Sequence, residues 1–422
     1  MQTKNIMITR QKIFLIVFAS CYCFYNLTAQ VQVMTPDQWK EDLQYLEKKL
    51  TKQLKNPNSD LIPLLFEGIQ KLNGQVGQLS NEEMAIEIGK ALATQQDGHT
   101  ELDLMQSAVG FNRLPLNFYF FGNDLYVINA AANYQHLLGQ QILSIGGTPI
   151  REVYEHLLPI MPADNKMETW HMAPVYMLAP RILYEFGITP VQNTVQLELA
   201  DGQKVSLDGI TIEDYGQQKW KNVRALENLE APMYLAQRKK QYWYRYLSTS
   251  KVLYFQYNRV KNQKGEPSIA RFVKNMFMEI DRVRPEKIII DMRHNRGGNY
   301  NLSKPLIKGI LKRTWLNQPG KIFIFTGRQT FSAASATTLF LKRDANVTIV
   351  GECSRSKPNG SQNSEVMVLP NSKLRISYTN RLIVHWPEKG TEKLPPLDVA
   401  IPIRFEDYAQ AKDPLLDWVL QQ

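Results

Sequence analysis

The stretch GRQTFSAA, residues 327–334, decides the fold because a strand, a tight turn and a helix are predicted to meet there. The apolar run Lys321–Phe325 ends just before it, and small and apolar residues continue after it through Leu341. This pattern predicts a buried strand, a turn and a helix. Ser332 falls in the first helical turn, where backbone N–H groups lack intrahelical partners. That position suits either a helix N-cap or a nucleophile next to oxyanion donors.

A second loop with chemical potential, Asp291–Asn299, follows another apolar strand and contains the adjacent glycines Gly297 and Gly298. Adjacent glycines let the backbone turn sharply and approach a ligand, and their N–H groups are candidate oxyanion donors. A plain glycine turn is the alternative, and the residue order of a phosphate-binding loop is missing. Ligand sites in α/β sheets favour the carboxyl ends of strands, where both loops are predicted to lie. This convergence favours a catalytic role for Ser332.

The order of predicted elements indicates several modules. Strands alternate with helices from Lys251 to Gly351, which predicts a largely parallel sheet with right-handed crossovers. Apolar residues recur at helical spacing from Trp39 to Leu54, and short strands begin near residue 114. We therefore expect an α/β (α+β, multidomain) fold. The predicted divisions are a signal peptide at 1–29, a helical module at 30–105, a β-rich domain at 106–215, a linker at 216–240 and an α/β domain at 241–422.

The first residues have the pattern of an export signal. Three basic residues precede the short apolar stretch Ile13–Tyr25, and the small residue Ala29 follows it. This order is typical of a secretory signal, and the stretch is too short for a comfortable membrane span. We expect cleavage after Ala29 and a periplasmic or extracellular protein. An uncleaved anchor and a lipid on Cys21 are the alternatives, although the residues before Cys21 fit the lipoprotein pattern poorly.

The composition excludes several function classes. The net charge of +10 is spread over short basic clusters, and no nucleic-acid-binding motif accompanies it, so we expect no nucleic-acid partner. Of three cysteines only Cys353 lies beyond the predicted signal, which excludes an intramolecular disulfide in the mature chain. No His, Cys or Asp cluster has metal-ligand spacing. We therefore expect neither a metal nor a cofactor, and no integral membrane span after signal cleavage.

Several motifs together resemble the carboxy-terminal processing, or tail-specific, serine peptidases, including their tricorn-type members. The motifs are IDMRHNRGGN at 290–299, TFSAA at 330–334, VGE at 350–352 and DGHT at 97–100. The β-rich domain is similar to a PDZ domain through Gly139–Gly147, although the usual carboxylate-binding loop is not evident. The resemblance implies a ClpP/crotonase-like catalytic domain at 241–422 and serine-type endopeptidase activity. The peptidase resemblance also implies peptides or unfolded proteins as substrates.

The resemblance assigns roles residue by residue. Ser332 corresponds to the nucleophile of the family. The N–H groups of Ala333, Gly297 and Gly298 correspond to the oxyanion hole, which stabilises the charge that develops during acyl transfer.

The general base is less directly indicated, since the family has two solutions. Processing proteases use a lysine flanked by glycines; Lys357 stands near that place, but the glycines are missing and its neighbours are charged. Tricorn-type members use a histidine, which corresponds here to His99 and would be assisted by an acid such as Glu392 or Glu388. The pKa of an ordinary histidine lies near working pH, whereas a lysine must lose its charge through burial. This difference favours His99.

The function that follows is hydrolysis of peptide bonds by an exported serine peptidase, through an acyl-enzyme on Ser332 and with His99 as the base. One alternative is a dyad of Ser332 and Lys357. Another is a non-catalytic peptide-binding protein that retains the peptidase fold, because a fold alone does not guarantee chemistry.

Overall fold

The computed structural model describes residues 34–56, 59–106, 109–227 and 229–422. The predicted signal peptide therefore lies outside the described residues. Among the helices that are described, none is both long and apolar enough to cross a membrane.

Three helices and one short strand form the amino-terminal region. They are α1 (Pro36–Gln53), α2 (Ile62–Gln75), α3 (Asn81–Ala93) and β1 (Glu101–Leu102). Thr35 and Ser80 cap α1 and α3, and each forms a capping box with the side chain three residues later, Gln38 or Glu83. Such reciprocal bonds satisfy N–H groups that the helix itself leaves free, and they fix where both helices begin.

A mixed region of strands and short helices follows. Its elements are β2 (Leu116–Phe121), β3 (Asp124–Ala131), β4 (Gln141–Ile145), β5 (Thr148–Pro149), α4 (Ile150–Leu157), α5 (Lys166–Tyr176), α6 (Pro180–Glu185), β6 (Thr194–Leu199), β7 (Lys204–Asp208), α7 (Ile212–Gln217), β8 (Trp220–Asn222) and α8 (Met233–Ala236). The sheet order is β2-β3-β4-β6-β7, with β5 beside β4 and β8 beside β3. Because β8 pairs antiparallel with β3, the predicted linker at 216–240 contributes a strand to this sheet.

The remaining chain builds a six-stranded sheet and a hairpin. Its elements are β9 (Tyr242–Leu247), β10 (Val252–Tyr257), α9 (Ile269–Val283), β11 (Lys287–Asp291), α10 (Lys304–Leu311), β12 (Ile322–Thr326), α11 (Ala333–Asp344), β13 (Val347–Gly351), β14 (Asn359–Val368), β15 (Arg375–Val384), β16 (Val399–Ala400), α12 (Phe405–Ala409) and α13 (Pro414–Gln421). The sheet order is β16-β13-β12-β11-β10-β9. Only β9 runs antiparallel to its neighbour, so the predicted largely parallel sheet is confirmed.

Apolar side chains cover both faces of the six-stranded sheet. Alternate residues of each strand point to opposite faces, so Phe255 packs toward α9–α11 and Tyr254 toward α13. A further core joins the amino-terminal helices, the β2–β7 sheet and the hairpin of β14 and β15. The modules predicted as separate domains therefore share buried apolar surface, which holds their loops in fixed positions around the larger sheet.

A long antiparallel hairpin of β14 and β15 follows β13 in the chain. The short strand β1 adds to β15, with Glu101 opposite Ser377 and Leu102 opposite Ile376. This pairing places the DGHT turn at residues 97–100 beside the carboxy-terminal part of the chain.

Candidate active site

Ser332 occupies a strained turn between β12 and α11. Its φ is 53° and its ψ is −123°, a backbone conformation that residues other than glycine rarely adopt and that costs about 1–3 kcal/mol. The residue stands at the N-cap position, yet its side chain makes no capping hydrogen bond. The capping role considered from the sequence is therefore not the role seen here. The hydroxyl is left without a structural task at a helix N-terminus.

Two neighbouring loops hold this turn in place. The Ser332 N–H donates to Ser356 Oγ at 2.9 Å, and the Phe331 N–H donates to the Asn295 carbonyl at 3.0 Å. The buried hydroxyl of Thr330 donates to the Met292 carbonyl at 2.8 Å. A strained conformation persists only where its surroundings fix it from several sides, and these bonds supply that restraint.

Asn295 connects three parts of the site and was not singled out by the sequence analysis. Its side-chain amide donates to the Tyr257 carbonyl at 2.7 Å, and its Oδ1 accepts the Gly297 N–H at 2.9 Å. Its own carbonyl accepts the Phe331 N–H. The side chain is fully buried, so these bonds are made without competition from water. The only signal for it in the sequence is its place within Asp291–Asn299, the loop that contains Gly297 and Gly298 and is referred to as the glycine loop.

The glycine loop lies directly against Ser332. A Cβ atom on Gly297 would stand 2.7 Å from the Phe331 carbonyl oxygen and 2.8 Å from Ser332 Cβ, and the φ of Gly297 is 87°. Only glycine allows both the close approach and this conformation. The Gly297 N–H is already bonded to Asn295. Within the described parts of the chain, the N–H groups of Gly298 and Ala333 have no hydrogen-bond acceptor, so these two are available to an oxyanion.

A buried ion cluster anchors the beginning of the same loop. Arg293 Nη2 lies 2.6 Å from Asp291 Oδ2 and 2.8 Å from Asp413 Oδ2, and the Tyr254 hydroxyl also bonds to Asp291. The guanidinium and both carboxylates are almost fully buried. Breaking a buried ion pair leaves an uncompensated charge, so this cluster ties α13 firmly to the carboxyl end of β11.

His99 is buried beside the residue that precedes Ser332. Its ring stacks on the Phe331 ring with centroids 4.4 Å apart and an angle of 21° between the planes. Nδ1 lies 3.9 Å from Asp97 Oδ1. Both ring nitrogens lack a hydrogen-bond partner among the described residues, Ser332 included. His99 and the turn that carries Ser332 are thus brought together from positions more than two hundred residues apart, without a hydrogen bond between them.

The surroundings of His99 keep its ring neutral. Burial lowers the pKa of His99 from 6.5 to about 4, with smaller lowering contributions from Arg355 and Lys357 and an opposing one from Asp97. A group with this pKa is unprotonated near pH 7 and can accept a proton. Only 5% of His99 is exposed, so the ring is shielded from water.

Asp97 fixes the turn that carries His99. Asp97 Oδ2 accepts the hydroxyls of Thr100 at 2.6 Å and Thr379 at 2.7 Å, and Oδ1 accepts the His99 N–H at 3.1 Å. Thr379 belongs to β15, so these bonds extend the pairing of β1 with β15. Asp97 is also the carboxylate beside the imidazole.

The other predicted site residues lie in different surroundings. Lys357 Nζ is 3.6 Å from Asp164 Oδ1 and 3.5 Å from the Gln96 carbonyl. Glu392 is about half exposed and pairs with Lys389 at 3.2 Å, and Glu388 is exposed in the same short turn. No contact between Glu392 and His99 is seen among the described residues, whereas Asp97 is in contact range of the ring.

Two buried carboxylates at the start of α5 complete the site, and sequence reasoning missed both. Asp164 Oδ1 accepts the Gly98 N–H at 3.2 Å, and Glu168 Oε1 accepts Arg355 Nη1 at 3.0 Å. Burial raises the pKa of Asp164 to about 7 despite the opposing charge of Lys357, and it raises that of Glu168 well above its usual value. These groups connect the β2–β7 region to the turn that carries His99 and to the loop after β13, which contains Arg355 and Lys357.

The residues described do not bring together three or more His, Cys, Asp or Glu side chains in a way that could hold a metal ion.

Comparisons with known proteins show the fold. No protein-family model matches the sequence, and no curated protein matches it. The solved structure of mature CPAF complexed with lactacystin is 13% identical and has a TM-score of 0.61, covering 92% of this chain and 98% of its own. A CPAF mutant structure is 12% identical with a TM-score of 0.62, covering 92% and 97%. The predicted multidomain α/β architecture is thereby confirmed, and the chain has the CPAF fold.

A structure of a photosystem II D1 C-terminal processing protease aligns more weakly. It is 12% identical, covers 89% of this chain and 98% of its own, and has a TM-score of 0.41. That score is below the level at which a shared fold can be argued.

Proposed function

We propose that this protein is a serine peptidase that hydrolyses peptide bonds through an acyl-enzyme on Ser332, with His99 as the general base. The observation that carries the proposal is the backbone of Ser332, held at a φ of 53° with its hydroxyl free of any capping bond. Strain of this kind is concentrated at functional sites. The stack of His99 on Phe331 and the close approach of Gly297 support the same conclusion.

The proposed reaction begins with the Ser332 hydroxyl. Its Oγ adds to the carbonyl carbon of the scissile peptide bond, and its proton moves to His99 Nε2. The carbonyl oxygen becomes an oxyanion that accepts the N–H groups of Gly298 and Ala333. The C–N bond then breaks, and Nε2 returns the proton to the leaving amine. Water hydrolyses the ester with the help of the same imidazole and regenerates the hydroxyl.

The choice of Nε2 as the basic atom follows from the position of Asp97. Nδ1 is the ring nitrogen near Asp97 Oδ1, so an Nδ1–H tautomer leaves the lone pair on Nε2. Asp97 also stabilises the imidazolium that forms when Nε2 takes the proton. The missing bond between His99 and Ser332 fits a site without substrate, since catalytic hydrogen bonds often tighten only when substrate binds.

Lys357 is the less suitable base. A lysine acts as a base only after losing its proton, which requires surroundings that disfavour the ammonium. Lys357 Nζ instead lies 3.6 Å from Asp164 Oδ1 and 3.5 Å from the Gln96 carbonyl, so these two acceptors occupy it. These contacts support a positioning role for Lys357, which connects the loop after β13 to the start of α5.

A fluorophosphonate probe tests the nucleophile, because it reacts with activated serines. The wild-type protein should be labelled and Ser332→Ala should not. Ser248→Ala removes an exposed serine from a turn between β9 and β10 and should be labelled like the wild type. Failure of the wild type to react, together with equal peptide binding by wild type and Ser332→Ala, would favour the non-catalytic peptide-binding alternative.

We also propose export, on the basis of the basic start and short apolar stretch before Ala29. Expression in a bacterial host followed by mass spectrometry of the purified protein should give an amino terminus at Gln30. Full-length protein retained in the cytoplasm would contradict this proposal.

A further inference from the structure

Three exposed arginines, Arg238, Arg259 and Arg296, surround the glycine loop, and we refer to them as the arginine surface. Arg296 immediately precedes Gly297. Arg259 adjoins Val260, whose N–H donates to the Gly297 carbonyl at 3.0 Å. Two of the three guanidinium groups are therefore carried by backbone that is bonded to, or continuous with, the proposed oxyanion loop.

Arg238 reaches the same place from the segment after α8. The Arg259 N–H donates to the Gln241 carbonyl at 3.1 Å, and the Asn258 side chain donates to the Lys240 carbonyl at 2.9 Å. Arg238 also lines one cavity together with His294 of the glycine loop. Both observations bring Arg238 close to the other two arginines.

The arginine surface is not neutralised within the protein. In the described part of the chain, none of the three guanidinium groups forms an ion pair or a hydrogen bond with a carboxylate, whereas the nearby Arg355 is bonded to Glu168. Burial lowers the pKa of Arg296, and repulsion from Arg355, Arg259 and Arg238 lowers it further, with Asp103 as the opposing acid. The Arg296 guanidinium is thus accessible yet partly desolvated, with the charges of Arg259 and Arg238 acting on it.

Like charges crowded together create a positive potential that attracts anions. Guanidinium groups bind carboxylates through paired, charge-assisted hydrogen bonds. We propose that the arginine surface binds acidic side chains of the substrate next to the scissile bond, so that the protein cleaves preferentially within Asp- and Glu-containing segments. This inference rests on the proposed peptidase function, because the glycine loop is the element that would hold the oxyanion.

Binding is measured first, in the Ser332→Ala variant, so that turnover does not interfere. Fluorescence anisotropy compares a dye-labelled hexaglutamate peptide with a hexaglutamine peptide, both amidated at the carboxyl end. The acidic peptide should bind about tenfold more tightly, and the difference should shrink as salt is raised. Adding Arg259→Gln and Arg296→Gln should abolish the difference. Adding Arg375→Gln, an exposed arginine of β15 outside the arginine surface, should preserve it.

Cleavage is measured second, with an amine-blocked proteome-derived peptide library and matched Glu/Gln peptides built around the sites found. The wild type should show about tenfold higher kcat/KM for the acidic member of each pair. Equal binding and equal cleavage of both members would overturn the inference. A preference that depends on a free terminal carboxylate rather than on internal acids would also overturn it.

Fluorophosphonate labelling separates the two proposals. The probe carries no acidic side chain and reports only on the nucleophile, so labelling of the wild type tests the peptidase proposal separately from any acidic preference. Normal labelling without any acidic preference would reject the arginine inference and leave the peptidase proposal standing. A wild type that does not label would reject the peptidase proposal itself.

Discussion

The ring of His99 stacks on the ring of Phe331 at a centroid distance of 4.4 Å, one residue before Ser332. Phe331 also lies under the Arg355 guanidinium, whose central carbon is 4.1 Å from the ring centroid. The backbone of Phe331 is bonded to Asn295. A single aromatic side chain therefore links the proposed base, the partly buried Arg355 cation and the turn that carries the nucleophile.

Replacing this ring should reduce catalysis more than it reduces stability. Phe331→Leu keeps apolar volume but loses the stacking, which is worth about 0.5–1.5 kcal/mol. We expect kcat to fall about tenfold because His99 is held less firmly, with a thermal midpoint within a few degrees of the wild type. Steady-state kinetics and thermal melts provide the measurement. An unchanged kcat would show that the stack does not position the base.

The identity of the base can be tested by paired substitutions. His99→Gln should lower kcat/KM about 10²–10⁴-fold, which is the usual contribution of general base catalysis. Lys357→Met should leave a larger part of the activity, because Nζ is engaged with Asp164 and Gln96. Measuring both variants with one peptide and with a fluorophosphonate decides between the two bases. A stronger loss in Lys357→Met would favour the dyad of Ser332 and Lys357.

The pH profile should report the lowered pKa of His99. The reaction needs the neutral imidazole, so kcat/KM should fall as pH decreases, with a midpoint near 4 rather than near 6.5. The unfolded chain binds a proton on this histidine between about pH 6.5 and 4 while the folded protein does not, so His99 also makes folding less favourable as pH drops through that window. Labelling rates from pH 3 to 9 would show the midpoint, and a rate that keeps rising above pH 8 would indicate a lysine base.

The close packing of Gly297 predicts a sharp difference between two glycine substitutions. Gly297→Ala would place a methyl group 2.8 Å from Ser332 Cβ and should abolish fluorophosphonate labelling. Gly265→Ala is the matched control, since its φ of 79° is similar but nothing lies within 4 Å of the added carbon. Both variants should lose about 1–2 kcal/mol of stability from the left-handed backbone, and only the first should lose activity. Normal labelling of Gly297→Ala would mean that the loop can retreat from the serine.

Local sequence patterns predict most of this fold, because helices and strands are set by nearby residues. Helix α1 covers the residues with apolar helical spacing, and the strand of residues 287–291 precedes the loop of Gly297 and Gly298 as its apolar run indicates. The glycine loop and Ser332 could be chosen for the same reason, since strand ends and turn residues are visible in the sequence.

The surroundings of the site could not be predicted in the same way. In the sequence, Asp164 and Glu168 have the pattern of ordinary residues at the start of a helix. No neighbouring residue indicates that the chain folds them against Gly98 and Arg355. Glu392 was selected only through the family resemblance, whereas the acid beside the imidazole comes from the turn that carries His99 itself. Long-range pairing, such as that of β1 with β15, determines these contacts, and no periodic pattern in the sequence indicates it.

The buried carboxylate of Asp164 should make stability depend on pH in a direction opposite to that of His99. Its pKa is about 7 in the folded protein and about 3.8 when exposed, so the folded state holds the proton more tightly. This contribution to stability is complete below about pH 3.8 and is lost as pH rises toward 7. Asp164→Asn cannot titrate, so the variant should lose less stability than the wild type between pH 4 and 7, measured by urea unfolding at several pH values. Parallel curves for the two proteins would contradict a buried, proton-holding Asp164 and would indicate that the ion pair with Lys357 keeps the carboxylate charged throughout.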